Sequence, residues 1–180
     1  MQSDDIYSMS DRILITYASR TGSTAGVAEA IGRSLTKQGA SVDVLPMSAV
    51  HDLDTYRAVV AGSAIQNKQW LPEALQFVQS QRLMLARKPF AAFLVCLTLA
   101  LRNGETYRPF VADFLAPVRR QVPTVSEGLF AGVLDVSKLP SFGDRLKFRI
   151  SVALGVWKEG DHRDWSAVQA WSEQLLPMLN

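Results

Sequence analysis

Four hydroxyls fall within the hexapeptide Ser19-Arg20-Thr21-Gly22-Ser23-Thr24, which carries a single glycine. It follows the apolar run Arg12-Ile-Leu-Ile-Thr-Tyr-Ala18 and precedes a stretch with apolar residues at Val27, Ala28, Ile31 and Leu35. That pattern predicts strand, turn and helix. The first turn of a helix leaves backbone N–H groups unpaired, and its dipole favours negative charge, so hydroxyls at this spacing suit an anion, above all a phosphate. Ser and Thr are also ordinary helix caps and Gly22 alone can serve a tight turn, so the hexapeptide by itself reads equally as capping. Its place after the first strand of an alternating chain favours the phosphate. The loop has neither the Gly-Lys-Ser/Thr ending of a nucleoside-triphosphate loop nor the three spaced glycines of a dinucleotide loop, which points to a monophosphate.

Little else in the sequence promises chemistry of its own. His51 and His162 are the two histidines, and neither has metal-ligand spacing or a nucleophile beside it. No catalytic side chain and no metal site is therefore expected. Cys96, the single cysteine, lies inside an apolar run and reads as a buried core thiol. This excludes an internal disulfide and suits a reducing cytoplasm. A net charge of +2 and a pI near 8.8, with no dense Lys/Arg run between aromatics, give no reason to expect nucleic acid.

The elements that must position the loop alternate along the chain. Residues 1–11 hold three aspartates and no apolar run, and read as a frayed leader rather than a signal peptide. With 48% hydrophobic residues, 12–180 suits one domain. After the first helix, Gly39 reads as a C′ residue, and Ser41-Val-Asp-Val-Leu45 as a strand ended by Pro46. Arg57–Ile65 reads as a central parallel strand and Gln66–Trp70 as a polar loop with an exposed tryptophan. Pro72 opens a helix through Leu83, Phe90–Leu97 is a strand, Thr98–Gly104 a loop, Glu105–Arg120 a helix and Gly128–Leu134 a fifth strand. Trp165–Leu179 closes the chain as an amphipathic helix started by Asp164 or Ser166. The βα alternation predicts an open parallel sheet with helices on both faces.

Residues 136–161 break the rhythm as an insertion after strand five. From Lys138 to Arg163 there are six Lys/Arg against three Asp/Glu, interleaved with Phe142, Leu146, Phe148, Ile150, Leu154, Val156 and Trp157. Such a segment, 136–158 in particular, either lies on an anionic membrane surface or docks a partner, or else packs its apolar side on the sheet and leaves its basic side solvated. No stretch approaches the roughly 20 apolar residues needed to cross a bilayer.

Ser19–Thr24 matches the Ser/Thr-x-Thr-Gly-x-Thr phosphate loop of flavodoxins, and nearly the whole chain resembles that family. The resemblance implies an α/β three-layer sandwich with five parallel strands in the order 2-1-3-4-5 and FMN at the switch point. Val59–Ile65, Leu94–Thr98, the basic aromatic insertion and Gly160–Trp165 are most similar to the menaquinone-dependent protoporphyrinogen IX dehydrogenase branch. Within that resemblance Ser19, Arg20, Thr21, Gly22, Ser23 and Thr24 bind the FMN phosphate. Ala64, Ile65, Gln66, Asn67 and Trp70 flank one side of the flavin ring, and Thr98, Leu99, Ala100 and Gly104 the other. Trp70 either stacks on the ring or anchors its loop. The implied activity is an FMN-dependent oxidoreductase passing electrons to a quinone from a small-molecule or protein donor. The alternatives are a flavodoxin carrying electrons to a protein partner and a flavodoxin-fold binding module without cofactor. Gln66–Gln69 lacks the glycine common in the first ring loop, and the chain is mildly basic where shuttle flavodoxins are acidic; both favour the dehydrogenase-like branch over the carrier.

Overall fold

The computed structural model describes residues 11–138 and 141–180. Apart from Asp11, the expected leader lies outside the described residues, as does Pro140 of the insertion. Strand β1 (Arg12–Ala18) leads through the hydroxyl loop into α1 (Ser23–Lys37), which buries Val27, Ala28, Ile31 and Leu35 along one helical face. Gly39, at φ +92°, ends it: its N–H bonds the Thr36 carbonyl and the Ala40 N–H bonds that of Leu35. β2 (Ser41–Pro46) stops on its proline, which cannot extend the ladder.

β3 (Tyr56–Gln66), β5 (Phe90–Val95) and β6 (Ser126–Phe130) complete a parallel sheet ordered β2-β1-β3-β5-β6, so its five parallel strands run 2-1-3-4-5. A two-residue strand, β4 (Gln69–Trp70), folds back antiparallel on the end of β3. Every residue of β5 is buried, as expected of a strand covered on both faces. One face carries α1 and α6 (Trp165–Leu175) over Ile13, Ile15, Val60, Phe93 and Val95. The other carries α2 (Pro72–Leu85) and the helices of 108–119 over Leu14, Val59, Ala61 and Leu94. Gly62 admits the Phe93 ring beside β3, since a Cβ there would overlap it. Asp164 caps α6 by accepting the Ala167 N–H at 2.9 Å.

Two expected elements are broken. The helix over Glu105–Arg120 is four pieces: a 3₁₀ turn (Gly104–Tyr107), α3 (Arg108–Ala112), a second 3₁₀ turn (Asp113–Leu115) and α4 (Ala116–Arg119). Pro109 sits harmlessly in the first turn of α3, but Pro117 removes a donor and crowds the carbonyl of Asp113, so the ladder tightens and restarts. The fifth strand ends at Phe130; Val133–Leu134 is a separate strand, β7, paired antiparallel with β8 (Gly160–Asp161). Between them, α5 (Phe142–Ala153) occupies the inserted segment.

The Arg119 guanidinium spans from α4 to β6, holding both carboxylate oxygens of Glu127 at 2.6 and 2.7 Å, while the Thr124 hydroxyl donates to the same carboxylate at 2.9 Å. The Arg119 bonds above all, opposed by partial burial, hold the Glu127 carboxyl below its ordinary 4.5. A folded-state pKa below the unfolded one adds stability that is present above 4.5 and is lost as pH falls through the folded value. Glu127→Gln is therefore expected to lower the melting temperature at pH 7 and to flatten its fall below pH 4.5, as read by thermal unfolding across pH.

Candidate functional site

The carboxyl ends of β1, β3 and β5 open on a cavity of about 480 Å³. It lies where the connections leaving β1 and β3 diverge to opposite faces, the place where open α/β sheets leave a crevice. Ser19, Arg20, Thr21, Ser23 and Thr24 line one end. Gly22 stands at the N-cap of α1 with φ +85°, and no side chain caps that helix, so the N–H groups of residues 23–25 have no intrahelical acceptor.

The four hydroxyls divide their work. Ser19 Oγ accepts the Gly22 N–H at 3.1 Å, folding the loop on itself. Ser23 Oγ accepts the Val133 N–H at 3.1 Å and so ties the start of α1 to β7. Thr21 lines the cavity, and the Thr24 hydroxyl is buried with no hydrogen-bond partner. Arg20 is braced by Glu73 of α2, with N–O distances of 2.7 and 3.0 Å. Helix donors and an orphaned hydroxyl thus point at the same end of the cavity, an arrangement that a phosphate would complete.

The other end lies between two strand termini. Ala64, Ile65, Gln66, Asn67 and Lys68 line it from β3, and Val95, Cys96, Leu97 and Thr98 from β5. Phe110 and Phe114 wall it on one side, and Gly132–Asp135 with Phe148 and Trp157 of the inserted segment on another. Phe148 and Trp157 lie 6.0 Å apart, centroid to centroid. Asp135 is held ionised by the Ser137 hydroxyl first and by Lys138, so its carboxyl lies below the usual range. A planar ring system bearing a phosphate, as in the FMN implied by the sequence resemblance, fits the residues present: donors and an unpartnered hydroxyl at one end, two facing loops and aromatic walls at the other.

Two expectations about the ring loops are corrected. Trp70 does not face the cavity: it is 1% exposed and packed in the core with Leu71 and Phe77. The polar loop Gln66–Gln69 is a tight hairpin turn, with Asn67 at φ +52° and Lys68 at +62°, and its register pairs Ile65 with Trp70. That pairing, with the Leu71 N–H bonded to Ser63 Oγ at 3.0 Å, turns the indole inward as the anchor of its loop. Leu99, Ala100 and Gly104 also stay off the cavity wall. Leu97–Ala100 is a 3₁₀ turn that packs Leu99 on the core, and Gly104 lies so close to the Leu99 carbonyl that a Cβ would overlap it. The wall residues that sequence reasoning passed over are chiefly Lys68, Phe110, Phe114, Asp135, Phe148 and Trp157. A lysine in a turn that wants glycine, and the aromatics Phe148 and Trp157 within an otherwise basic segment, were the signals available. Cys96 is buried, as expected, and also borders the cavity. Among the described residues no cluster of His, Cys, Asp or Glu could hold a metal.

A flavodoxin domain profile matches residues 14–162. No curated protein sequence is significantly similar to the chain. Among solved structures, it is similar to a short-chain flavodoxin associated with a non-canonical PDU bacterial microcompartment, at 16% identity and a TM-score of 0.60, covering 94% of this chain and 99% of that one. Oxidised flavodoxin 2 from Bacillus cereus is 27% identical with a TM-score of 0.51, over 80% of this chain and 99% of that one. A flavodoxin from Streptococcus pneumonia is 16% identical with a TM-score of 0.57, over 92% and 98%.

Because the Thr24 hydroxyl is buried and unpaired, the shape-preserving change Thr24→Val separates a ligand role from a structural one. It is expected to raise the melting temperature of ligand-free protein by about 2–4 °C, the shift that about 1 kcal/mol gives at this size. The same change is expected to weaken FMN binding by about tenfold, measured by quenching of flavin fluorescence. A merely structural hydroxyl would show the reverse: a lower melting temperature and unchanged binding.

Proposed function

The chain belongs to the flavodoxin domain family, and from that premise we propose that it is an FMN-dependent oxidoreductase. The observation that carries the reading is the unpartnered Thr24 hydroxyl buried beside the uncapped start of α1. Bound FMN supplies the electron-transfer chemistry itself. The protein's part is to seat the phosphate on Thr21, Thr24 and the α1 amides, and to hold the ring between Ala64–Lys68 and Val95–Thr98. Phe110, Phe114, Phe148 and Trp157 keep water from it.

The finer reading is a protoporphyrinogen dehydrogenase-like activity, with a reduced, flat apolar substrate as donor and a quinone as acceptor. The motif resemblance supports it, as do the aromatic walls that Phe148 and Trp157 add to the cavity. The outer side of α5 supports a peripheral membrane contact: Phe142, Leu146 and Ile150 repeat every fourth residue, Leu154 continues the row, and all four are exposed, Phe142 by 79%. Lys147 and Arg149 are exposed on the same helix. A short apolar row flanked by cations suits an anionic bilayer surface, where an apolar quinone resides. No described helix is long and apolar enough to cross a membrane. The rival reading, a carrier serving a protein partner, is supported by the flavodoxins among the similar structures.

Purified protein is expected to bind FMN at micromolar concentration. Once reduced by dithionite, it should be reoxidised by a menaquinone analogue faster than free FMN is, followed by flavin absorbance. Protoporphyrinogen should reduce it. Absence of FMN binding ends the proposal; binding without either exchange leaves the carrier. Replacing Lys147 and Arg149 together with glutamine is expected to lower partitioning onto anionic liposomes about 30-fold, at about 1 kcal/mol per charge. Flotation that ignores both charges and lipid composition would sink the membrane contact.

A further inference from the structure

Lys68 occupies the second position of the β3–β4 hairpin turn, on the cavity wall, with its backbone at φ +62°. Glycine relaxes such a position and asparagine tolerates it; lysine holds it only at a conformational cost. Its ammonium stands 5.6 Å from the centroid of Phe110, whose ring is set edge-on against Phe114 at 5.0 Å. That contact keeps the exposed ammonium beside the aromatic wall of the cavity.

The other charges of the wall are already matched. Arg20 is paired with Glu73 at 2.7 Å and Asp135 with Lys138 at 3.2 Å. No carboxylate among the described residues lies within ion-pair distance of Lys68. The ring end of the cavity therefore carries one uncompensated positive charge, held on an aromatic face by a backbone conformation that most sequences would give to glycine.

We propose that Lys68 sets the reduction potential of the bound flavin, raising it by favouring the reduced ring. The inference rests on the FMN reading above. Two electrons given up by the reduced substrate, with one proton taken up, convert the oxidised ring, which carries no net charge, to a ring carrying one negative charge. A fixed cation at the ring end stabilises that product over the oxidised form. By linkage, tighter binding of reduced than of oxidised FMN is the same quantity as a raised potential. A raised potential suits a protein that collects electrons from an organic substrate and opposes service as a low-potential donor.

The test uses the full chain loaded with FMN. Affinities for oxidised and reduced FMN are measured by fluorescence and anaerobic titration, and the two-electron potential against a reference dye. Lys68→Gln is expected to lower the preference for reduced FMN about tenfold, equivalent to about 30 mV for a two-electron couple. Lys68→Arg is expected to keep it within threefold of the unaltered protein. Lys68→Gly separates charge from conformation: it should lose the same preference while raising the melting temperature, because the turn relaxes. If Lys68→Gln and the unaltered protein both bind FMN and differ less than threefold in that preference, the role of Lys68 is overturned and the FMN reading stands. If the unaltered protein binds no FMN, both fall together.

Discussion

Everything at the site depends on one constraint of the sheet. β1 and β3 are neighbours, yet the chain leaving β1 crosses to one face and the chain leaving β3 to the other, so no connection covers their carboxyl ends. Into that gap the loop directs the uncapped start of α1. Backbone donors without acceptors are costly when buried and strongly attractive to an anion when they line a crevice. The surrounding contacts maintain that condition: Ser19 bonds Gly22, Ser23 bonds Val133, and Arg20 is taken by Glu73. The Ser19 and Ser23 hydroxyl oxygens, both able to accept a helix N–H, are thereby engaged elsewhere, and no side chain caps α1. Thr24, left over, is buried without a partner.

What was legible in the sequence was whatever local pattern determines. The apolar runs of β1, β3 and β5 are longer and purer than any amphipathic alternative, because parallel strands are covered on both faces. The buried stripe of α1, the positive φ at Gly39 and the stop at Pro46 follow from residue types alone. The phosphate end of the cavity belongs to the same class, since its loop is a contiguous hexapeptide. The ring end does not. The direction of Trp70 depends on which strand Gln69–Trp70 pairs with, a tertiary fact, and the pairing with β3 sends the indole inward. Leu99 and Gly104 pack on each other across a turn whose spacing resembles that of any exposed loop. The stretch 105–120 kept an apolar face at helical spacing, but Pro117 cut the backbone ladder beneath it, and face periodicity is blind to a missing donor.

The inserted segment does not lay its whole apolar side on the sheet, as one of the sequence alternatives had it. The excursion is closed at its base by β7 against β8, by the His162 N–H bonded to the Gly132 carbonyl at 3.1 Å, and by the Val136 N–H bonded to Glu159 at 3.0 Å. Arg163 forks onto Asp161 and lies over the Trp165 ring at 4.4 Å, joining that base to α6. With both ends pinned, the inserted segment presents two sides at once. Phe148 and Trp157 reach the cavity, while Phe142, Leu146, Ile150 and Leu154 face outward.

An outward apolar row is informative because of what it forgoes. Burying a large aliphatic or aromatic side chain contributes about 1.5–3 kcal/mol, and a helix of this length could have been rotated to hide the row at the expense of its inner side. Phe148 on the cavity wall fixes that rotation, with the exposed row Phe142, Leu146 and Ile150 on the other side of the helix. The same base that pins the excursion runs through Val133, whose N–H is held by Ser23 at the start of α1. The anion end of the cavity and the aromatic wall of its other end are thereby built on one hydrogen-bonded junction.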